Sequence, residues 1–260
     1  MIYAFSPEGV ACLAAVLATR PLLAFDIDGT LAPIVERPDE ARLPEAVQRC
    51  LGELAERTDV AIITGRSVDD ARRMLALEPH YLVGNHGAEG IAAWKERSEG
   101  FAHTVRAWHE TLRGCDALAE SGVTIEDKRY SLSLHYRRAR DHDAARRAIL
   151  DCLATLVPAP KVIDGKAVVN LLPPDAPDKG EALRALIAQG RAANVLYVGD
   201  DDTDETVFGL HLPSVLTLRV EPSAESAAAL FLRDQSEVLT LMRHIARHIP
   251  GDATRRSANA

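Results

Sequence analysis

The sequence lacks several features that mark whole classes of protein. No apolar run reaches about 18 residues, so we expect no membrane span and no membrane partner. The 30 basic residues are outnumbered by 38 acidic ones, and the net charge of -8 argues against nucleic acid as a partner. The four cysteines have no spacing typical of a zinc site or a redox pair.

The cysteines are Cys12, Cys50, Cys115 and Cys152, and they are widely separated. We expect reduced, mostly buried thiols, and therefore a cytoplasmic protein. Near the N-terminus, "GVACLAAVLA" lacks the basic segment that precedes the apolar part of a signal peptide. The pattern predicts a short packing helix instead.

The first part of the chain alternates between strand and helix patterns. We predict a strand at 21–25, a helix at 44–57, a strand at 59–64, a helix opened by Ser67 and a strand at 81–84. This βαβαβ order predicts a parallel sheet covered by helices.

The middle of the chain has a different pattern. A predicted helix at 104–120 precedes "YSLSLHY", in which apolar and polar residues alternate as in a half-exposed antiparallel strand. A helix at 141–156 and two short strands around the turn signal Asp164-Gly165 follow. We expect a small α+β insertion with one sheet face exposed to water.

The α/β rhythm resumes after "PPDAPDKG", with a helix at 178–189, the strand "NVLYVGD" and a helix from about 203. The predicted fold class is therefore α/β, a Rossmann-like parallel-sheet core with an inserted α+β cap domain. We expect the core to comprise 1–90 and 175–250, the cap 91–174, and a flexible tail 251–260.

Two groups of acids follow apolar strands. Asp26 and Asp28 end the first strand in "LLAFDIDGT", where open α/β sheets place their ligands, although a turn or cap would also suit these residues. The second group, in "YVGDDDTDE", consists of Asp200, Asp201, Asp202, Asp204 and Glu205. A charge run of this kind is either a solvated surface or a cation site.

Five carboxylates in one loop repel each other unless they are splayed into solvent, protonated or neutralised by a cation. Because the run directly follows a buried strand, we favour a divalent cation. Oxygen ligands without clustered histidine or cysteine favour Mg2+, which usually takes only one or two carboxylates and keeps several waters.

Mg2+ beside carboxylates suggests phosphoryl transfer. The sequence shows no Ser-His-Asp pattern and no phosphate-cradling Gly-rich loop, so the nucleophile would be a carboxylate that forms an aspartyl-phosphate. A second acid two residues away could protonate the leaving alcohol and later deprotonate water. Asp26 and Asp28 fit this division.

Four motifs now support a resemblance. "DIDGT", "IITGR", "DKGEA" and "GDDDTDE" are similar, in order, to the motifs of haloacid dehalogenase-like phosphatases. "VGNHGAEG" and "HYRR", with a cap after the third strand, resemble trehalose-6-phosphate phosphatases. The resemblance implies a phosphoric monoester hydrolase of trehalose biosynthesis that uses Mg2+ to hydrolyse trehalose 6-phosphate.

The resemblance also implies roles for individual residues. Asp26 would be the nucleophile and Asp28 the general acid/base, while Thr64 and Lys179 would bind the phosphoryl oxygens. The acids at or around the metal would be Asp26, Asp28 through its backbone carbonyl, Asp200, and, holding water or orienting neighbours, Asp201 and Asp204.

Substrate contacts are implied in both parts of the chain. Arg66 would either contact sugar or phosphate or pair with nearby acids, and His86 would either line the pocket or occupy a simple turn. In the cap, Glu126, Lys128 and Arg137 would contact the distal glucose with His135 beside them, unless they form a solvated sheet face.

At one point the sequence departs from the family pattern. Asn170, at a position where the resemblance implies a contact with the sugar, replaces the usual glutamate, and Leu172 stands where a basic residue is common. The alternatives are therefore a phosphatase of another sugar phosphate, such as sucrose phosphate or a glycosyl-phosphoglycerate, a phosphosugar mutase, or a non-catalytic sensing domain. The expected partner is a sugar phosphate, with functional coupling to a trehalose-6-phosphate synthase, and we expect a monomer.

Overall fold

The computed structural model describes residues 1–35, 37, 40–165, 167–190 and 193–250. The predicted flexible tail, 251–260, lies outside these residues. The chain divides into two compact units, one built from Met1–Gly90 and the chain from Asp178 onward, the other from Ile91–Pro177. The predicted fold class is confirmed, since one unit contains a parallel sheet and the other an antiparallel sheet.

A seven-stranded parallel sheet forms the first unit. Its strands are β1 (Ile2–Tyr3), β2 (Leu22–Phe25), β3 (Val60–Ile63), β4 (Tyr81–Val83), β9 (Val195–Gly199), β10 (Val215–Val220) and β11 (Leu230–Leu232). The spatial order is β1-β11-β10-β9-β2-β3-β4, and every neighbouring pair is parallel.

Helices cover both faces of this sheet. They are α1 (Pro7–Leu17), α2 (Glu45–Ala55), α3 (Val68–Met74), α7 (Lys179–Gln189), α8 (Glu205–Phe208) and α9 (Val238–His248). Every residue of β2, β3 and β9 is buried, which is the composition expected of parallel strands covered on both sides. The strands β1, β10 and β11 and the helix α9 were not predicted.

The second unit is a four-stranded antiparallel sheet with helices. Its elements are α4 (Lys95–Arg113), α5 (Asp116–Glu120), β5 (Thr124–Asp127), β6 (Leu132–His135), α6 (His142–Leu153), β7 (Lys161–Gly165) and β8 (Val168–Leu172). The strand order is β5-β6-β8-β7. Its core gathers Trp108, Leu132, Leu134, Ile149 and Val169.

The helix predicted at 104–120 is wrong in its bounds. The structure has two helices here. The first, α4, begins at Lys95 and ends at Arg113, and the second, α5, begins at Asp116. Gly114 caps α4, and Cys115 has an extended backbone before α5 begins.

The prediction of a half-exposed strand at "YSLSLHY" is also wrong. Ser131 and Ser133 are as buried as the apolar residues between which they lie. These serines are buried because β6 is an inner strand of the sheet. The Ser133 hydroxyl donates a hydrogen bond to Asn170 Oδ1 on β8 at 2.6 Å. The more exposed strands of this sheet are β5 and β7, at its two edges.

The hairpin turn lies two residues later than predicted. Asp164 and Gly165 belong to β7 and pair with Val169 and Val168. The connection between the two strands therefore follows Gly165, and Ala167 within it has φ +60, whereas residue 166 lies outside the described residues.

The expectation of four reduced thiols is wrong for two of them. Cys115, which caps α5, forms a disulfide with Cys152 in α6, whereas Cys12 and Cys50 are free. The pairing could not be predicted from spacing, because 37 positions separate the two cysteines and the packing of α5 against α6 brings them together.

In the described part of the chain, no helix has both the length and the apolar character needed to cross a membrane.

Candidate active site

Three predicted site residues lie at the ends of adjacent strands. Asp26 follows β2, Thr64 follows β3 and Asp200 follows β9. β2 is paired with β3 on one side and β9 on the other, and all three strands run in the same direction. Their carboxyl ends therefore meet at one edge of the sheet, where α/β proteins bind ligands.

Asp26 is buried at this edge, with 3% of its surface exposed. Its Oδ1 has no hydrogen-bond partner among the described residues and lies 3.3 Å from Lys179 Nζ. Burial raises the pKa of Asp26 well above its usual value, and the nearby charge of Lys179 opposes that shift. The carboxylate is thus isolated from water and faces one cation.

Lys179 is the first residue of α7 and is 1% exposed. Asp178 and Glu181 form a reciprocal capping box that fixes the start of this helix. The ammonium group donates to Asp204 Oδ1 at 2.8 Å. Burial alone would lower the pKa of Lys179, but Asp204 and Asp26 together raise it well above its usual value. Lys179 is therefore a permanent cation.

Asp200 is held against the first acidic motif. Thr30 Oγ1 donates to Asp200 Oδ1 at 3.1 Å. Gly29 has φ +84, and a Cβ at this position would lie 1.9 Å from Asp200 Oδ2, so only glycine leaves room for the carboxylate. Burial raises the pKa of Asp200 to about 7, and the neighbouring acids Asp204 and Asp201 add to the shift.

The rest of the acidic loop is organised by internal hydrogen bonds. Asp204 is fully buried, and Oδ2 accepts the backbone amides of Asp200 and Asp201 at 3.0 and 3.1 Å. Asp201 Oδ1 accepts both the amide and the hydroxyl of Thr203. These bonds fold the loop into a tight turn before α8.

Arg219 supplies a second positive charge to the loop. From β10 it donates to Glu205 Oε1 at 2.6 Å and to the carbonyl oxygen of Asp201 at 3.2 Å. Together with Lys179, it neutralises part of the charge that the sequence analysis assigned to a bound cation. Sequence reasoning missed Arg219, because it lies 14 residues beyond Glu205 in a mostly apolar strand.

Asp28 points to a different partner from Asp26. Arg66 Nε and Nη2 donate to the two carboxylate oxygens of Asp28 at 2.7 and 2.6 Å, and Nη1 donates to Asp70 at 2.8 Å. The Arg66 side chain is 9% exposed, and its hydrogen bonds to Asp28 and Asp70 outweigh burial and raise its pKa further. Of the two roles predicted for Arg66, the structure therefore contains the ion pair with nearby acids.

Thr64 and His86 form the wall beside this pair. Thr64 is 1% exposed, and its hydroxyl accepts the amide of Arg66 at 3.2 Å. The amide of His86 donates to the Thr64 carbonyl oxygen, and its ring lies directly on Gly65. Asn85 and His86 both have left-handed backbones (φ 50 and 56), a strained arrangement typical of functional loops.

The predicted cap residues lie on the antiparallel sheet of the second unit. Glu126 Oε2 lies 2.8 Å from His135 Nε2 and 4.0 Å from Lys128 Nζ, so three of them form one cluster. Arg137 lies beyond β6 and is exposed.

Asn170 is already engaged within the sheet. Its Oδ1 accepts from Ser133, and its Nδ2 lies 3.4 Å from the carbonyl oxygen of Ile163. Leu172 is fully buried. Both positions that depart from the family pattern therefore serve the packing of this unit.

The acids of the first unit fit a divalent metal ion. One ligand atom from each of Asp26, Asp200 and Asp204 lies within 4.8 Å of the others. The donors are all oxygens, and Asp26 Oδ1 is buried without a hydrogen bond, as expected of a group that completes its coordination with a cation. Asp204 is the least available of the three because both its oxygens accept hydrogen bonds. The Asp28 carboxylate, bound to Arg66, and the Asp201 carboxylate, bound to Thr203, lie outside this cluster.

The chain is similar to known proteins of one family. The family model for trehalose-phosphatase matches residues 24–236. Trehalose 6-phosphate phosphatase RA3 of Zea mays is 30% identical over 260 residues, which cover 90% of this chain and 72% of the maize protein.

An uncharacterized glycosyl hydrolase of Mycobacterium tuberculosis is 35% identical over 211 residues. The match covers 73% of this chain but only 15% of that protein, so the chain spans a small part of the length of this relative. Among solved structures, a trehalose-6-phosphate phosphatase related protein shares the fold, with a TM-score of 0.72, 24% identity, and coverage of 87% of this chain and 97% of that one. The chain belongs to the trehalose-phosphatase family.

Proposed function

We propose that the protein hydrolyses trehalose 6-phosphate to trehalose and phosphate, with Mg2+ and through an aspartyl-phosphate intermediate. The observation that carries the chemistry is the buried Asp26 carboxylate, which faces Lys179 at 3.3 Å at the strand ends shared with Thr64 and Asp200. Membership of the trehalose-phosphatase family supports a sugar phosphate as the substrate.

In the first step, a carboxylate oxygen of Asp26 attacks phosphorus, and the bond between phosphorus and the sugar oxygen breaks. Lys179 is placed to balance negative charge on the transferring phosphoryl oxygens, and the Thr64 hydroxyl is a neutral donor at the next strand end. Asp28 gives a proton to the leaving sugar oxygen. The products of this step are trehalose and a phosphoryl group on Asp26.

In the second step, water attacks the same phosphorus atom. Asp28, which gave up its proton in the first step, accepts one from this water. The bond between phosphorus and the Asp26 oxygen breaks, which releases phosphate and restores the free carboxylate. Atoms and protons balance over the two steps, and the net reaction is hydrolysis of one ester bond.

Asp26 and Asp200 are the side chains best placed to hold Mg2+, with the backbone carbonyl oxygen of Asp28 as the third protein ligand implied by the family resemblance. When bound, the ion supplies positive charge for the carboxylates and the phosphoryl oxygens. Because burial raises the pKa of Asp26, that positive charge is needed to favour the ionised, nucleophilic form.

The cap is proposed to select the sugar. Glu126, His135 and Lys128 form a cluster of charged hydrogen-bonding groups on the antiparallel sheet, and such groups suit sugar hydroxyls. Arg137 would add a further donor. Asn170 supports a second candidate, a phosphatase of another sugar phosphate, because its amide is engaged by Ser133 and lies against Ile163.

A substrate panel tests the proposal. Phosphate release would be measured with trehalose 6-phosphate, sucrose 6-phosphate, glucose 6-phosphate and a glycosyl-phosphoglycerate in the presence of Mg2+. We expect trehalose 6-phosphate to have the highest kcat/KM. A higher kcat/KM for one of the others would contradict the proposed substrate but not the proposed chemistry. Transfer of the phosphoryl group to an added sugar would indicate a mutase.

The intermediate needs its own test. Asp26→Asn should abolish turnover and remove the acid-stable label that wild type acquires when it is mixed with 32P-labelled substrate and quenched in acid. Asp164→Asn is the control, because Asp164 is an exposed carboxylate paired with Arg146 in the second unit. Labelling of Asp26→Asn would exclude Asp26 as the nucleophile.

Three expectations about the cellular setting belong to this proposal. A trehalose-6-phosphate synthase would supply the substrate, the protein would be a monomer, and it would act in the cytoplasm. Size-exclusion chromatography with light scattering tests the monomer directly. Fractionation of cells tests the location.

A further inference from the structure

Tyr197 is a buried polar residue that no step of the proposed reaction uses. It lies at the centre of β9, is 0% exposed, and its hydroxyl donates to Asp204 Oδ1 at 2.5 Å. Its neighbours in β9 are all apolar or glycine, so the hydroxyl is the one side-chain polar group of this strand. A hydroxyl buried here needs a partner, and that partner is an acid of the active-site loop.

Asp204 is held by four donors. Tyr197 and Lys179 both donate to Oδ1, and the amides of Asp200 and Asp201 donate to Oδ2. A Cβ at Gly199 would lie 2.3–2.6 Å from the carboxylate atoms, so glycine lets Asp204 lie flat against the end of β9. Each oxygen of the Asp204 carboxylate is therefore fixed by two hydrogen bonds.

Tyr197 is the rigid member of this group. Its backbone pairs with Ala24 on β2 and with Thr217 on β10, and its ring packs edge-on against Phe208. Lys179, by contrast, reaches the same oxygen through four rotatable methylene groups. A fixed Oδ1 therefore fixes the ammonium group, which lies 3.3 Å from Asp26.

We propose that Tyr197 is a positioning residue, which acts through Asp204 to hold the Lys179 ammonium group in place against Asp26 and the transferring phosphoryl group. The inference rests on the proposed function only for the phosphoryl group that Lys179 faces. It does not depend on which sugar the phosphate carries.

Tyr197→Phe tests the inference, and Tyr3→Phe is a matched control. Tyr3 lies on the edge strand β1 of the same sheet, and its hydroxyl also donates to a carboxylate, Glu237, at 2.7 Å. We expect Tyr197→Phe to lower kcat about tenfold, the order expected for one hydrogen bond to a charged group. The factor should be the same for trehalose 6-phosphate and p-nitrophenyl phosphate, and Tyr3→Phe should change kcat less than twofold.

A double-mutant cycle separates positioning from a general loss of structure. In the Asp204→Asn background, Tyr197→Phe should change kcat less than twofold, because the residue through which it acts is already altered. A further tenfold loss in that background would overturn the inference. Circular dichroism and urea unfolding would confirm that each variant is folded.

Binding of inorganic phosphate, measured by calorimetry, gives a readout that needs no turnover. Tyr197→Phe should weaken it about tenfold relative to wild type, in line with the misplaced Lys179 charge. If trehalose 6-phosphate is not hydrolysed but phosphate binding falls as expected, the proposed substrate fails and this inference stands. Unchanged phosphate affinity in Tyr197→Phe, or no phosphate binding by wild type, would overturn it.

Discussion

Arg66 donates two hydrogen bonds to Asp28, one to each carboxylate oxygen, at 2.7 and 2.6 Å. The same guanidinium group donates a third hydrogen bond, to Asp70 on α3 at 2.8 Å, which fixes its own orientation. Bidentate geometry of this kind restricts orientation as well as supplying charge. The proposed acid/base therefore has a fixed direction before any substrate arrives.

Arg66→Lys should lower kcat about tenfold or more and leave KM within about twofold, since lysine keeps the charge but loses the fork that orients Asp28. The measurement is steady-state kinetics with trehalose 6-phosphate. A large rise in KM with unchanged kcat would show instead that Arg66 contacts the substrate.

Arg72→Lys is the matched control for that experiment. Arg72 also donates two parallel hydrogen bonds to one carboxylate, that of Glu78, at 3.1 and 2.9 Å, and it lies on α3, the helix that carries Asp70. The Arg72 side chain is 51% exposed, and an exposed ion pair contributes little to structure. We therefore expect Arg72→Lys to leave both kcat and KM unchanged.

Asn170→Ala should leave KM for trehalose 6-phosphate within about twofold, because both polar ends of the Asn170 amide are used inside the sheet. The same change should lower the free energy of unfolding by about 1–3 kcal/mol, since the buried Ser133 hydroxyl loses its acceptor. Urea denaturation and steady-state kinetics measure the two effects separately.

Ser133→Ala provides the control for Asn170→Ala. Because Ser133 is fully buried and bonds only to Asn170 among the side chains of the described residues, the double variant should be less destabilised than the sum of the two single variants. If Asn170→Ala instead raised KM tenfold, the amide would be a substrate contact, as the sequence analysis predicts.

The sequence was sufficient to predict that acids at two strand ends would lie close together. Asp26 and Asp200 meet because parallel strands bring their carboxyl ends to one edge, and the pattern of apolar run followed by acids marks those ends. What the pattern could not provide is strand order. β9 lies beside β2 although about 170 residues separate them, and only tertiary packing decides that neighbour.

Two residues that donate hydrogen bonds to the acidic loop, Tyr197 and Arg219, were missed. Tyr197 reads as core because it stands among Val and Leu, and Arg219 reads as an isolated charge on a strand. A signal did exist for Tyr197, since its hydroxyl lies in a strand otherwise wholly apolar, three residues before the acids. The prediction of a half-exposed strand failed at Ser133 because alternation of apolar and polar residues cannot distinguish an inner strand from an edge strand.

Reduction of the Cys115–Cys152 disulfide should destabilise the second unit. The bond closes a loop of 37 positions between α5 and α6, and a cross-link of that length contributes about 3–4 kcal/mol in the chain-entropy model. Urea unfolding with and without dithiothreitol measures the difference. We expect the effect to disappear in the variant carrying Cys115→Ser and Cys152→Ser.

Cys12→Ser is the control for reduction, because Cys12 is a free thiol in the first unit. Its unfolding should respond to dithiothreitol as wild type does. A reductant effect that persisted in the double serine variant would mean that the disulfide is not its source.

Asp200 should make the stability of the metal-free protein depend on pH. Burial raises its pKa to about 7, whereas an unfolded aspartate titrates near 3.9, so between these values the folded state binds more protons than the unfolded state. The free energy of unfolding, measured by urea in EDTA, should therefore fall as pH rises from about 4 to about 7. Asp200→Asn should flatten this slope near pH 7, and the exposed Asp202→Asn in the same loop should not.

Mg2+ should remove the same slope, because a carboxylate must lose its proton to bind the ion. With saturating Mg2+, Asp200 is ionised in both the folded and the unfolded state above about pH 4, so its contribution to the pH dependence of stability should disappear, and calorimetry in buffers of different ionisation enthalpy should detect proton release on binding. Asp200→Asn should weaken Mg2+ binding at pH 8 and release fewer protons at pH 6. Equal proton release by wild type and Asp200→Asn would show that Asp200 is not the group that Mg2+ deprotonates.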